Sequence, residues 1–178
     1  MKNIFLTAKS ASLNQRRVLA FLLMVTITLA LTPRPAGATD QVPFKASFAT
    51  EFETSPGSNS CLLNVTHTGV GKATHLGRST EVTTDQVANL CTGALTATSV
   101  YTAANGDTVA SQITGRLTSM IGNTVTFAGT YTITGGTGRF EGATGAGTFS
   151  GSAVFTGPSS GIGSFALTGT ISSPGSLK

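Results

Sequence analysis

Residues 134–145 read TGGTGRFEGATG, and five of these twelve residues are glycine. The opening Thr134-Gly135-Gly136-Thr137-Gly138 has the look of a nucleotide-binding turn. A dinucleotide fingerprint needs G-x-G-x-x-G between a strand and a helix, so that the helix N-terminus meets the pyrophosphate. Here Gly136-Thr137-Gly138 is followed by Arg139-Phe140-Glu141, and the third glycine, Gly142, comes one residue late. Glu141 stands where that glycine belongs, and its charge repels phosphate. The following Ala143 to Phe155 is rich in Gly, Thr and Ser and supplies no helix dipole. No Gly-Lys-Ser/Thr follows either, so the nucleotide reading is rejected. The glycines are read instead as backbone devices, allowing positive φ, bulges and close approach where the chain bends between two strands.

The flanking sequence supports that reading. Val125, Phe127, Gly129, Tyr131 and Ile133 alternate with threonines and Ala128, the period of a half-buried strand. The same alternation recurs from Val42 to Phe52, in Cys61-Leu63-Val65, from Leu95 to Ala103, from Val109 to Leu117, from Gly147 to Phe155 and from Gly163 to Ile171. A further strand is expected over Lys72–Val82, after a break at Gly69-Val70-Gly71. Thr83–Thr92 lacks alternation and is expected to be a connection with a short helical turn. Asn105-Gly106 predicts a type I′ hairpin. The expectation is therefore all-β, an eight-stranded antiparallel β-barrel, with large and small residues alternating on the inner faces; a two-sheet sandwich is the alternative.

The first 38 residues carry Lys2, Lys9, Arg16 and Arg17, an apolar run from Val18 to Leu31, and Ala36-Gly37-Ala38. That is the pattern of a signal peptide, too short in its apolar part to span a bilayer. Arg16-Arg17 fits twin-arginine export or the general route. The expected organisation is thus a signal peptide over 1–38 and a single barrel domain over 39–178, secreted or periplasmic, with no membrane span after cleavage. Beyond residue 38 six basic residues face seven acidic ones, so no basic surface for nucleic acid is expected. Cys61 and Cys91, the only cysteines, are read as one disulfide in an exported protein.

Gly135, Gly136, Gly138, Phe140, Gly142 and Gly145, with Ala73-Thr74-His75-Leu76-Gly77-Arg78, Gly129–Ile133 and Phe165–Thr170, make the chain resemble the allene oxide cyclase and dirigent β-barrel superfamily, in particular its small bacterial exported members. The resemblance implies a compact eight-stranded barrel with an apolar lumen, working without a cofactor. Its cyclases close a reactive lipid epoxide and its dirigent proteins steer phenoxy-radical coupling. The catalytic side chains of those relatives lie outside the matched stretch, and none is carried over.

Few polar residues stand out. His67 continues the Cys61-Leu63-Val65 phase toward the core and is the candidate general base; the alternative is a strand-end histidine bonded to backbone or water. His67 and His75 lack further ligands, so no metal is expected. Ser99 and Tyr101 share the inward phase of Leu95 and are candidate ligand contacts, with a plain core role for Tyr101 as the alternative. Phe140 is expected to plug one barrel end, with Arg139 and Glu141 in solvent as a weak pair. No catalytic constellation can be assembled. The leading expectation is an exported barrel binding a small apolar ligand, ahead of a cofactor-independent isomerase or cyclase and of a structural envelope module. Oligomeric state is not read.

Overall fold

In the computed structural model, residues 40–172 and residue 174 are described. The signal-peptide expectation falls outside them. Eight strands follow one another: β1 (Gln41–Pro56), β2 (Leu62–Ala73), β3 (Gly77–Asn89), β4 (Ala94–Ala103), β5 (Thr108–Ile121), β6 (Thr124–Gly136), β7 (Gly145–Phe155) and β8 (Ser160–Ser172). Each pairs antiparallel with its chain neighbours, and β8 pairs back onto β1, closing a barrel in sequence order. Closure leaves no strand edge, which excludes the sandwich alternative.

The seam shows how register follows from side-chain size. Phe48 of β1 stands opposite Phe165 of β8, their rings 5.4 Å apart. Glycines take the places where a second large group would collide. Gly147 and Gly169 face each other across β7 and β8, and a Cβ on either would lie 2.7 Å from the Tyr131 hydroxyl. The pair is the slot into which Tyr131 inserts.

Packing divides the barrel into two halves along its axis. One end is solid: Phe44, Phe48, Tyr101, Val109, Tyr131, Leu167 and Ile171 are all almost wholly buried there. Phe140 closes that end. It sits in a single 3-10 turn, Gly138–Phe140, between β6 and β7, with 1% of its surface exposed. Gly135, Gly138 and Gly142 take positive φ around it (146°, 61° and 68°), which is how so short a stretch folds a ring back into the lumen. Gly136 lies against Phe140, and Gly145 begins β7.

Arg139 pairs differently from the expectation. Its Nε lies 3.5 Å from Asp107 Oδ2 and its Nη2 donates to the His75 carbonyl at 2.7 Å. Glu141 is not its partner, because the turn aims the guanidinium at the neighbouring loops. The Asn105-Gly106 hairpin also forms, but only Gly106 has positive φ (87°). Ala103 N donates to the Asp107 carbonyl and Gly106 N to the Ala103 carbonyl. The turn is therefore wider than type I′.

The largest departure concerns β3. Lys72 belongs to β2, which runs through Gly69-Val70-Gly71 unbroken to Ala73. Residues 83–89 are strand rather than connection. Thr83 pairs with Ser99 and Val87 with Thr96, so β3 carries one extra residue between them. The bulge hides the alternation, and the Asp85 carboxylate accepts the Thr98 N–H at 2.7 Å there.

Cys61 and Cys91 form a disulfide across 30 residues. It ties the start of β2 to the end of β3, at the end of the barrel away from Phe140. Closing a loop of that length is worth about 3.6 kcal/mol in the chain-entropy account. The double Cys→Ser variant should therefore melt about 12 °C lower than the parent in a calorimetric scan. An unchanged melting temperature would show that the rim is held by packing alone.

Candidate functional site

The half of the barrel away from Phe140 is not filled. Its lumen holds a cavity of about 260 Å³, room for roughly nine waters at ~30 Å³ each. Phe52, Leu63, Val65, Leu95, Ile113, Val125, Phe127, Phe149, Phe155 and Phe165 form most of its wall. Leu90 and Met120 also line it and are about half exposed, which places them at the mouth. The alternation of large and small inner residues explains the void: Gly163, Ala153 and Ala88 face it where bulky side chains would fill it.

One side of the wall is polar. His67 and Gln86 reach it from β2 and β3, and Ser99 from β4. Among the described residues lining the cavity, His67 alone is ionisable. Its Nδ1 lies 3.0 Å from Glu81 Oε2 and its Nε2 lies 3.1 Å from Gln86 Oε1. The imidazole meets the Phe165 ring edge-on, centroids 6.1 Å apart. Both ring nitrogens thus meet side chains, a carboxylate and an amide, where the alternative reading had backbone or water.

Glu81 is fully buried. Burying a carboxylate is costly unless its lone pairs are met, and here they are. Oε2 accepts from His67, and Oε1 accepts from the Thr83 hydroxyl at 2.6 Å. Thr83 Oγ1 lies 2.5 Å from Ser99 Oγ. A hydroxyl has one proton, and that of Thr83 is committed to the carboxylate, so Ser99 donates to Thr83. Gly69 stands opposite Glu81 on β2, where a Cβ would collide with the Thr50 methyl at 2.9 Å and only touch the carboxylate.

Glu81 is the residue that sequence reasoning missed. In Ser79-Thr80-Glu81-Val82-Thr83 the apolar Val82 invites an inward assignment. The structure inverts this: Ser79, Glu81 and Thr83 point in, while Val82 is 41% exposed. The available signal was that Thr83 must face in with Ser79 if β3 is to pair with β4, whose inward phase of Ser99 and Tyr101 was evident.

Of the two candidate ligand contacts, Ser99 lies in the wall of the cavity, its side chain fully buried and bonded to Thr83, and Tyr101 lies outside it. The tyrosine lies in the solid half, stacked on Phe48 at 5.4 Å, with its hydroxyl accepting from Ser111 Oγ at 3.3 Å. Burial raises its pKa well above the ordinary tyrosine value. His75 lies in the β2–β3 turn at the Phe140 end, its Nε2 3.2 Å from the Pro43 carbonyl, and joins no site with His67. Among the described residues no group of three or more His, Cys, Asp and Glu side chains could hold a metal ion.

No family model and no curated protein matches the chain. Among solved structures it is similar to the pterocarpan synthase dirigent protein GePTS1, at 15% sequence identity over 82% of this chain and 98% of that one, with a TM-score of 0.33.

Proposed function

We propose that this is an exported binding protein whose barrel takes up one small, largely apolar molecule carrying a single polar group. The carrying observation is the half-empty lumen, apolar on most of its wall, with His67 and Gln86 beside the hydroxyl residues Thr50, Thr54, Ser99 and Ser152 as its polar part. Pockets of this build use apolar area for affinity and a few placed polar groups for orientation. At about 260 Å³ the ligand is smaller than the ~300–1,000 Å³ typical of drug-sized sites. The leader pattern at the N-terminus and the disulfide both support export.

Naphthol, an apolar body with one hydroxyl, is a suitable probe because its fluorescence reports a dry site. Saturable one-to-one binding is expected. Ala153→Phe, which fills the cavity, should abolish it, and His67→Ala should weaken it about tenfold, equivalent to ~1.4 kcal/mol for one hydrogen bond. Absence of saturable binding, together with no co-purifying molecule in native mass spectra, would refute the reading.

One observation favours a second reading, cofactor-free isomerisation in the same cavity. The single ionisable group on the cavity wall is held in place by a buried carboxylate, an arrangement that binding alone does not require.

A further inference from the structure

We propose that the cavity catalyses proton transfer: His67 removes and returns a proton at the carbon beside the carbonyl of a small apolar ketone, with Glu81 and Thr83 as positioning residues. The inference rests on the cavity binding such a molecule.

The geometry assigns each nitrogen of His67 a separate task. Nδ1 donates to Glu81, so its proton is fixed in place. Nε2 is left as the atom that exchanges protons; the Gln86 amide lies 3.1 Å from it, and when the imidazole is the free base that amide must offer Nε2 its N–H rather than its oxygen. Gln86 stands at the β3 bulge, where the ladder to β4 is interrupted between Thr83 and Val87. A ligand displaces that one amide contact to reach Nε2, and the freed N–H is then available to the ligand's oxygen.

The carboxylate behind the imidazole is itself held. It accepts from both His67 and Thr83, and Thr83 accepts from Ser99. This is the base-and-orienter arrangement found where an imidazole must keep one tautomer and tolerate a positive charge. No nucleophile accompanies it. The Ser99 hydroxyl is bonded to Thr83 rather than His67, and among the described residues there is no free cysteine. Acyl transfer therefore lacks its attacking group, whereas proton transfer needs only the base.

The step balances without any added reagent. The Nε2 lone pair takes the α-proton, and the C–H pair becomes the C=C bond of an enolate. The carbonyl π pair moves onto oxygen, where the Gln86 N–H meets it. The imidazolium so formed lies against Glu81. Return of the proton to the same carbon gives exchange, and return to a conjugated γ-carbon gives double-bond migration. The enolate forms between the apolar Phe165 and Phe149 rings of the wall.

Phenylacetone tests this, with deuterium incorporation at its benzylic carbon followed by proton NMR in deuterated buffer. Exchange well above the buffer rate is expected. It should fall at least hundredfold in His67→Gln, the size of a general-base contribution. Glu81→Gln should slow it about tenfold and shift the nitrogen NMR signals of His67, a change that a merely structural role would not cause. Ala153→Phe, on β7 and outside the hydrogen bonds of the base, should abolish exchange while retaining the parent's circular dichroism, so the result does not hang on whether His67→Gln folds. Exchange at the buffer rate, or at an equal rate in a folded His67→Gln, would overturn the proposal. If naphthol still bound, the binding reading would survive that failure; if neither naphthol nor phenylacetone bound, both would fall.

Discussion

Above about pH 10 the folded chain should lose stability steeply, its two tyrosines ionising together with the loss of structure. Both are 1% exposed. Burial pushes Tyr131 from its ordinary 10.0 up to about 12, and burial raises Tyr101 as well, only partly offset by its bond to Ser111. Below the unfolded value the phenols are neutral in both states, and the stability associated with burying them is fully present. Between the unfolded and folded values the unfolded chain has released its protons and the folded chain has not. Stability then falls with rising pH, by about 1.4 kcal/mol per pH unit for each tyrosine. Two tyrosines over two units lose about 5 kcal/mol, comparable with the whole stability of many domains (roughly 5–15 kcal/mol).

Phenolate absorbance and circular dichroism should therefore change in one shared transition. Separate curves, with phenolate appearing near pH 10 in an intact fold, would contradict the burial of both rings. Tyr131→Phe is a direct control. It should halve the slope, and it should not destabilise the fold at neutral pH, because the Tyr131 hydroxyl is buried without a hydrogen-bond partner among the described residues.

Glu81→Ala should cost about 3–5 kcal/mol, read as a lower midpoint in urea with an unchanged slope. The substitution removes the acceptor of both His67 and Thr83 in a place water does not reach. His67→Ala should cost a similar amount, since it leaves a buried carboxylate with one partner fewer. Replacing both by leucine should cost far less than the two single changes added together, because no uncompensated polar group remains. Additive losses would mean that the two side chains do not act as a pair.

Much of the barrel was legible because β1, β4, β6, β7 and β8 alternate cleanly, and large residues such as Phe44, Phe48, Phe149 and Phe165 mark the inner face. Ser99 and His67 were placed inward by the same rule. The rule fails at β3, where both of its assumptions break. The inner residues Ser79, Glu81 and Thr83 are polar, and the bulge before Val87 reverses the phase. Hydrophobicity locates a buried position only when burial is compensated by area. Glu81 is compensated by hydrogen bonds from residues 14 and 2 positions away in the chain, a relation that periodicity does not contain. Tyr101 fails for the opposite reason. Its inward direction was evident, but whether an inward residue meets a void or a neighbour depends on its height along the axis, set by register and by the Phe140 plug.

The division of the lumen into a solid end and an empty end bears on how this protein can change over generations. Every strand contributes to both ends, yet the side chains that hold the barrel together are largely different from those that face the void. Substitutions at Val125, Ala153 or Met120 reshape the cavity wall without touching the ring cluster around Phe48 and Phe140. Destabilising drift at the mouth is further buffered by the covalent tie between Cys61 and Cys91. A lineage with this layout can reshape the void by point mutation while its folding remains protected, and variation among descendants should concentrate at the mouth.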